Sequence, residues 1–490
     1  MPVAPGLSCR HILDSLYCRE NRGAPVSGTS KRLSPQDLLF LYGETPSSMM
    51  HVAALMPFTP PSDAPASYLR QMFEDTRHLE IVAPWNLKLS HPRMLFRPDQ
   101  SWVVDDKLDI DYHVRRSALA SPGDERELGI LISRLHSHPV DFTRPPWELH
   151  FIEGLEGGRF AIYMKIHHSL VDGYTGTKII ERSMSTDPTR RDQPLFFNVA
   201  ALTKPRTGEQ APSRNPLMSL LGGAVSGTKS ALNVGKALFN TQIRSDDEYG
   251  HIANSWQAPH SILNGHISRN RRFATQLYPL ERLKTIGTKH GATVNDVALA
   301  IIGGGLRAFL DELGELPEKP LVAFLPVNVR PKDDVGGGNA VGTILVTMGT
   351  DIADPVERLD AITASTKASK AQLRTMSATE VVAYSAALLA PSALQITSAM
   401  TGVPAPLPFT FNLCVSNVPG PRETLYLNGS RLEAAYPVSI PMHGMALNVT
   451  LHGYADMLNF GFIGCRDALP HLQRLAVYTG DALDELEKLA

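Results

Sequence analysis

Lys165-Ile166-His167-His168-Ser169-Leu170-Val171-Asp172-Gly173 is the stretch on which the reading of this chain turns. It closes an alternating run, Phe160-Ala161-Ile162-Tyr163-Met164-Lys165-Ile166, of the kind that forms a β-strand. Asp172-Gly173 marks a turn, and Thr177 to Arg182 opens a helix. Side chains alternate between faces along a strand, so His168 continues the apolar row Phe160, Ile162, Met164, Ile166. His167 continues Tyr163 and Lys165. The second histidine is therefore expected to point into the protein and the first along its rim. A partly buried imidazole stays neutral near pH 7 and suits a general base. The plain alternative is a strand–turn–helix that happens to carry two histidines.

Outward from that stretch, the chain offers room for two or more domains in 490 residues, with 43% hydrophobic and 20% charged content. A net charge of −2 gives no electrostatic ground for nucleic-acid binding. Cys9, Cys18, Cys414 and Cys465 are too scattered for a disulfide framework or a zinc site, which suits a reducing cytoplasm. No metal is called for. Between Glu380 and Arg422 lie 41 residues without Asp, Glu, Lys, Arg or His, interrupted by prolines. This run reads as a buried helix and strand or, alternatively, as a lipid-facing surface.

Residues 1–32 read as a flexible extension. Ser34-Pro35-Gln36-Asp37 starts a helix, and Met49 to Leu55 reads as the first strand, with His51 as a structural residue. Gly123 to Ser137 forms an amphipathic helix, and Leu149–Glu153 and Phe160–Ile166 form a hairpin. Residues 186–215 read as an exposed connection. Pro216 to Phe239, with Lys229 and Lys236 seven apart, fits an interfacial helix or one packed on its own protein. Thr293 and Asp296 have capping spacing ahead of a long apolar helix, with Asn295 at its positive end. Strands and helices interleave in both halves, so two mixed α/β lobes are expected, over residues 33–185 and 256–490, joined by a 186–255 linker.

The HHxxxDG pattern resembles the signature of acyl-CoA-dependent acyltransferases built like chloramphenicol acetyltransferase and peptide-synthetase condensation domains. Further stretches are similar to the bacterial wax ester synthase/acyl-CoA:diacylglycerol acyltransferase family, in order from about residue 33 to the C-terminus. They are Leu33-Ser34-Pro35-Gln36-Asp37-Leu38-Leu39-Phe40-Leu41 with Met50-His51-Val52, Arg144-Pro145-Pro146-Trp147-Glu148, Arg271-Arg272-Phe273-Ala274, Thr293-Val294-Asn295-Asp296-Val297, Ser416-Asn417-Val418-Pro419-Gly420-Pro421 and Ala446-Leu447-Asn448. Departures are the N-terminal extension, Pro146 where that family usually has Leu, and Ala53 where it usually has Gly.

The resemblance implies two acyltransferase-like lobes with a tunnel between them. It implies transfer of a fatty acyl group from acyl-CoA, a substrate and not a cofactor, to a long-chain alcohol or diacylglycerol. Peripheral contact with a membrane or lipid inclusion goes with such acceptors. The alternatives are a superfamily enzyme acylating an amine or a polyketide alcohol, and a non-catalytic lipid-inclusion protein. An alcohol is a poor nucleophile until a base takes its proton, and His168 is the candidate base. His167 is expected to orient its neighbour or the substrate. Asp172 is expected to shape the turn, and Gly173 to permit it. Asn295 is a candidate for stabilising the tetrahedral oxyanion, or it caps the helix with Asp296. Asp296, Ser416 and Asn417 are candidates for substrate binding, and Arg271 and Arg272 for the CoA phosphates.

Overall fold

The structure, a computed structural model, describes residues 31–97, 99–199, 234–236, 238, 251–328, 341–403 and 408–489. The first half runs β1 (Lys31–Arg32), α1 (Pro35–Gly43), β2 (His51–Thr59), α2 (Tyr68–Thr76), β3 (Leu87–Leu89), β4 (Ser101–Val104), α3 (Ile110–His113), β5 (Val114–Ala118), α4 (Glu125–His136), β6 (Trp147–Glu153), β7 (Phe160–His167) and α5 (Gly173–Arg182). The second half continues with β8 (Arg271–Pro279), α6 (Leu280–His290), α7 (Val294–Glu312), β9 (Val322–Asn328), β10 (Val341–Thr347), α8 (Pro355–Arg374), α9 (Ala378–Leu389) and α10 (Ser392–Thr401). It ends with β11 (Leu413–Val418), β12 (Tyr426–Leu427), β13 (Ser430–Leu432), β14 (Tyr436–Val438), β15 (Leu447–Tyr454), β16 (Met457–Cys465) and α11 (Gln473–Leu489).

Two mixed sheets form the frame. One has the order β12-β13-β2-β7-β6-β5, with β14 also on β2, and the other β10-β9-β11-β15-β16-β8. The expected hairpin is present as antiparallel β6 and β7. The sheets do not divide the chain by halves. Leu432 pairs with Phe58 and Pro437 with Ala54, so β13 and β14 leave the second half and complete the first sheet. Their return is tight: a Cβ at Gly461 on β16 would collide with the carbonyl oxygen of Pro437, so only glycine admits this approach.

The seam has its own core. Leu55, Leu128, Ile132 and Tyr163 of the first half pack with Phe273, Val438 and Ile463 of the second. Strand β8 is a sheet edge whose free N–H groups need partners. Helix α4 supplies them: Phe273 N donates to Ser133 Oγ at 2.9 Å and Arg271 N to Ser137 Oγ at 2.8 Å.

Two expectations are corrected. The 186–215 connection is exposed over residues 186–192 but not over 193–199: Leu195, Phe196, Phe197 and Val199 are buried in the first core, where Phe197 stacks on Trp147. An apolar run of that size is better satisfied against the sheet than in water. Lys31 and Arg32 pair with β4, so ordered structure reaches back into the expected extension, whose residues 1–30 lie outside the described residues. The interfacial-helix reading of 216–239 also lies outside the described residues, apart from Val234 to Lys236 and Leu238; Val234 is buried in the second core.

Candidate active site

Strand β7 delivers the histidine pair, and both of its faces are covered. Behind it, His136 Nδ1 of α4 lies 2.8 Å from the Tyr163 hydroxyl, and Lys165 Nζ donates to the carbonyls of Leu135 (3.2 Å) and His138 (3.0 Å). Lys165 has no exposed surface and pairs with Glu148 at 2.9 Å. Burial pushes the Glu148 carboxyl up, but His150, Lys165 and Arg115 outweigh it and hold the group down at about 2. The Trp147-Glu148 motif thus neutralises a lysine sealed behind the strand that carries the histidine pair. His51 is fully buried too, with Nε2 3.1 Å from the carbonyl of His136.

His167 is consequently not on a rim. It is fully buried, because α4 and the segment after it cover the face that its neighbour Lys165 suggested was open. Its Nδ1 accepts from Ser169 N (3.2 Å) and lies 2.6 Å from Ser169 Oγ, which assigns the ring proton to Nε2, 3.4 Å from Glu44 Oε2. Glu44 also accepts from Met50 N, while Met50 O accepts from His168 N at 2.9 Å. A carboxylate at the end of α1 thereby sits beside the first histidine, whose Nε2 makes no hydrogen bond among the described residues, and fixes the backbone ahead of the second.

His168 is half-buried and faces a cavity of about 1070 Å³, mouth included, between the two sheets. Met164 and Ile166 line the same wall, as their common row with His168 requires. Phe40 of α1 stacks on the imidazole at 3.9 Å between centroids. Nδ1 is buried without a hydrogen-bond partner among the described residues, which leaves Nε2 on the accessible side. Burial lowers the His168 pKa to about 4, with His167 adding to the fall and the Asp172 charge opposing it. The ring is neutral at physiological pH.

Asp172 accepts from Thr175 N at 2.8 Å and Thr175 Oγ1 at 3.0 Å as the N-cap of α5. Gly173 follows as the first helical residue. Its φ is not positive, so the turn does not need glycine; a Cβ there would enter open space, and Gly173 lines the cavity. Its bareness keeps the mouth wide, a different role from the one expected.

The other candidates divide. Ser416 lines the cavity; Asn417, one residue on, is exposed and donates from Nδ2 to Asn295 Oδ1 at 2.5 Å. Asn295 is itself exposed and outside the lining. Asp296 is buried and accepts from Thr293 N, Thr293 Oγ1 and Thr366 Oγ1 at 2.6 to 2.9 Å, a cap that ties α7 to α8. Arg271 is not free for phosphate. It is buried, donating to the carbonyls of Ser268 and Ser47 at 2.6 Å, and burial lowers its pKa to about 10. Arg272 is half-buried, outside the cavity lining, and lowered by burial and by the charges of Arg466 and Arg126.

Residues missed in the sequence form the wall opposite His168. Thr450 and His452 of β15 face the cavity with Ser416. His452 Nδ1 lies 3.1 Å from Val418 O, and burial lowers the pKa of the ring. A Cβ at Gly420 would collide with that ring, so the Pro-Gly turn of the Ser416 to Pro421 motif makes room for His452. Asn448-x-Thr450-x-His452 is a polar row of period two in an apolar strand, and that alternation was a readable signal.

Two mixed sheets enclosing a neutral histidine of an HHxxxDG turn define an acyltransferase of the two-lobed, CoA-dependent class. The chain belongs to the wax ester synthase/diacylglycerol acyltransferase family: the family's catalytic domain matches residues 33–298 and its C-terminal domain residues 337–487. It is similar to a putative diacylglycerol O-acyltransferase of Mycobacterium tuberculosis, 63% identical over 486 residues that cover 94% of this chain and 98% of the relative. It is also similar to the solved wax ester synthase/diacylglycerol acyltransferase of Marinobacter aquaeolei VT8, with TM-score 0.74 and 37% identity over 94% of this chain and 99% of that one. The starter condensation domain of rhizomide synthetase aligns at TM-score 0.52 over 94% of each chain; at 14% identity this is a likeness of fold.

Proposed function

We propose that this chain transfers a long-chain acyl group from acyl-CoA to the hydroxyl of a fatty alcohol or diacylglycerol, met at a membrane or lipid-inclusion surface. The observation that carries this reading is the neutral His168 at the edge of a largely apolar cavity, with Nε2 on the open side. Nε2 takes the hydroxyl proton as the oxygen attacks the thioester carbon. The C–O bond forms, and the carbonyl oxygen becomes an oxyanion. The C–S bond then breaks, and the thiolate leaves with the proton now on Nε2. Acyl group, proton and electron pairs balance without a covalent enzyme intermediate.

Burial sets the low pKa of His168. An oxyanion beside the ring favours the imidazolium, so the base strengthens as the transition state forms. Ser416 is assigned as the hydroxyl donor from the facing wall, and the Glu44–His167–Ser169 contacts as the support that orients the strand end. The test uses purified protein with palmitoyl-CoA and either hexadecanol or dioleoylglycerol, following ester by thin-layer chromatography. Wild type is expected to form ester and His168→Ala to lose about 10²- to 10⁴-fold in rate. A near-wild-type rate in a folded His168→Ala protein sinks the reading.

A further inference from the structure

Helix α10 turns polar side chains inward and sets apolar ones outward, beside Thr397 and Thr401, whose hydroxyls donate to the carbonyls of Ala393 and Thr397 at 2.8 and 2.9 Å. Its inward face is Ser392, Gln395 and Ala399. Gln395 is 3% exposed; its Nε2 donates to the carbonyls of Phe411 (2.9 Å) and Gly444 (2.7 Å), and its Oε1 accepts from Thr410 N at 3.0 Å. The outward face carries Leu394 and Met400, 57% and 47% exposed, and Val403 just past the helix is 65% exposed. A helix on a water-facing surface shows the reverse, with apolar side chains inward and polar ones outward.

Three further observations say what covers this face. The 41 residues between Glu380 and Arg422 contain no charge, so α10 itself offers nothing for a charged partner to pair with. Ala378–Thr401 is apolar enough over 24 residues to cross a membrane, yet it folds as two helices, α9 and α10, with 33% of its apolar window buried. Beside the end of α9, Ser255 Oγ bonds the carbonyl of Leu388 at 2.7 Å and the adjoining Trp256 is 41% exposed. An indole at the border of an apolar face is suited to the headgroup region of a bilayer. The face is also joined to the reaction site. Gly444, which holds Gln395, lies in the β14–β15 loop, and Ser439 at the start of that loop lines the cavity.

We propose that the outward face of α10, with Leu394, Met400 and Val403, docks on a phospholipid bilayer by inserting these side chains among the acyl chains, beside the cavity that the lipid acceptor must enter. The second half of this statement rests on the function proposed above; the docking itself does not. Binding by burial of apolar surface, without counter-ion release, is insensitive to salt and to lipid charge.

The test is flotation of the full chain with phosphatidylcholine vesicles. Wild type is expected to float equally at low and high salt, and no better when phosphatidylglycerol is added. Leu394→Asp/Met400→Asp/Val403→Asp is expected to reduce the vesicle-bound fraction about tenfold or more. An uncharged variant, Leu394→Gln/Met400→Gln/Val403→Thr, serves if the charged one misfolds, with circular dichroism as the check. Flotation unchanged in a folded variant overturns the proposal, as does wild-type binding that needs anionic lipid or is lost in salt. Sedimentation without lipid covers the remaining occupant: a wild-type dimer that the variant breaks makes the face a contact between copies, and also overturns it. Acyl transfer is read separately. The variant is expected to match wild type on a short, water-soluble alcohol and to fall only on vesicle-borne diacylglycerol. If wild type transfers nothing to any alcohol, the function fails while flotation still decides the docking.

Discussion

The state of His168 sets a pH profile that separates a buried base from an ordinary one. The free imidazole titrates near 6.5, and in this cavity burial holds His168 at about 4. The sign follows from the charged form being the disfavoured one: the ring stays neutral as pH falls through the usual range and protonates only in acid. The gap corresponds to roughly 3 kcal/mol against the imidazolium. At pH about 5.5 an unperturbed histidine would be only about one-tenth neutral, whereas His168 would be neutral in all but about one-thirtieth of molecules. The apparent kcat/KM, which reports the free enzyme, is therefore expected to be flat from about pH 8 to about pH 5.5. The assay is ester formation from radiolabelled palmitoyl-CoA. Palmitoyl-pantetheine runs in parallel, because it lacks the phosphates whose own titration could mimic an acid limb. A tenfold fall over that range with both donors, in protein whose circular dichroism is unchanged, would refute the buried-base argument. Lowering the burial should move the profile the other way: Phe40→Ala removes the ring stacked on His168 and is expected to shift the acid limb towards neutrality.

Glu148→Ala leaves Lys165 buried without its carboxylate and is expected to cost about 3–5 kcal/mol in urea unfolding, whereas Glu148→Leu with Lys165→Met should recover most of that loss. A single-variant cost below about 1 kcal/mol would show that the pair is not sealed as described. Asp172→Asn keeps a side-chain oxygen for the Thr175 N–H and is expected to stay within a few-fold of wild-type activity, while Asp172→Ala loses about 1 kcal/mol of helix capping and falls further. An Asn variant as inactive as His168→Ala would give Asp172 a part in proton transfer.

How much of this was legible depended on whether the information was local. The alternation from Phe160 to Ile166 placed His168 on the correct face, because strand periodicity is a property of the strand alone. The same alternation misjudged His167. Lys165 beside it suggested water, and its actual partner, Glu148, sits on the neighbouring strand, where only the folded sheet brings the two together. The capping pairs Ser34 with Asp37 and Thr293 with Asp296 were legible for the same local reason, and both are present. Asn295 stood between an oxyanion role and a cap for the same reason: the dipole end of a helix can be read from sequence, but its distance from a cavity cannot. The crossing of β13 and β14 into the first sheet had no local signal, since Leu432 and Phe58 are paired across most of the chain.

The scattered motifs make one physical statement once they are placed. The α1 segment supplies Phe40 to stack on His168 and ends at Glu44, which lies beside His167 and holds Met50. Trp147-Glu148 neutralises Lys165 behind the same strand, and Asp172 starts the helix that follows the pair. Each of these contacts fixes the backbone around residues 165–172, and none of them reaches the accessible side of the His168 ring. A base that must accept a proton from a flexible lipid alcohol gains from that division. Its position is set by contacts on its closed side, so the open side can be left apolar and wide enough for the substrate. On that argument, substitutions at Phe40 or Glu44 should lower kcat with little change in KM, whereas widening or narrowing the open side at Gly173 should act mainly through the acceptor's KM. Gly173→Val is the sharper arm, since its side chain enters open space without disturbing the helix cap. If it lowered kcat on every acceptor alike and left KM unchanged, the separation of a fixed side from a substrate side would be wrong.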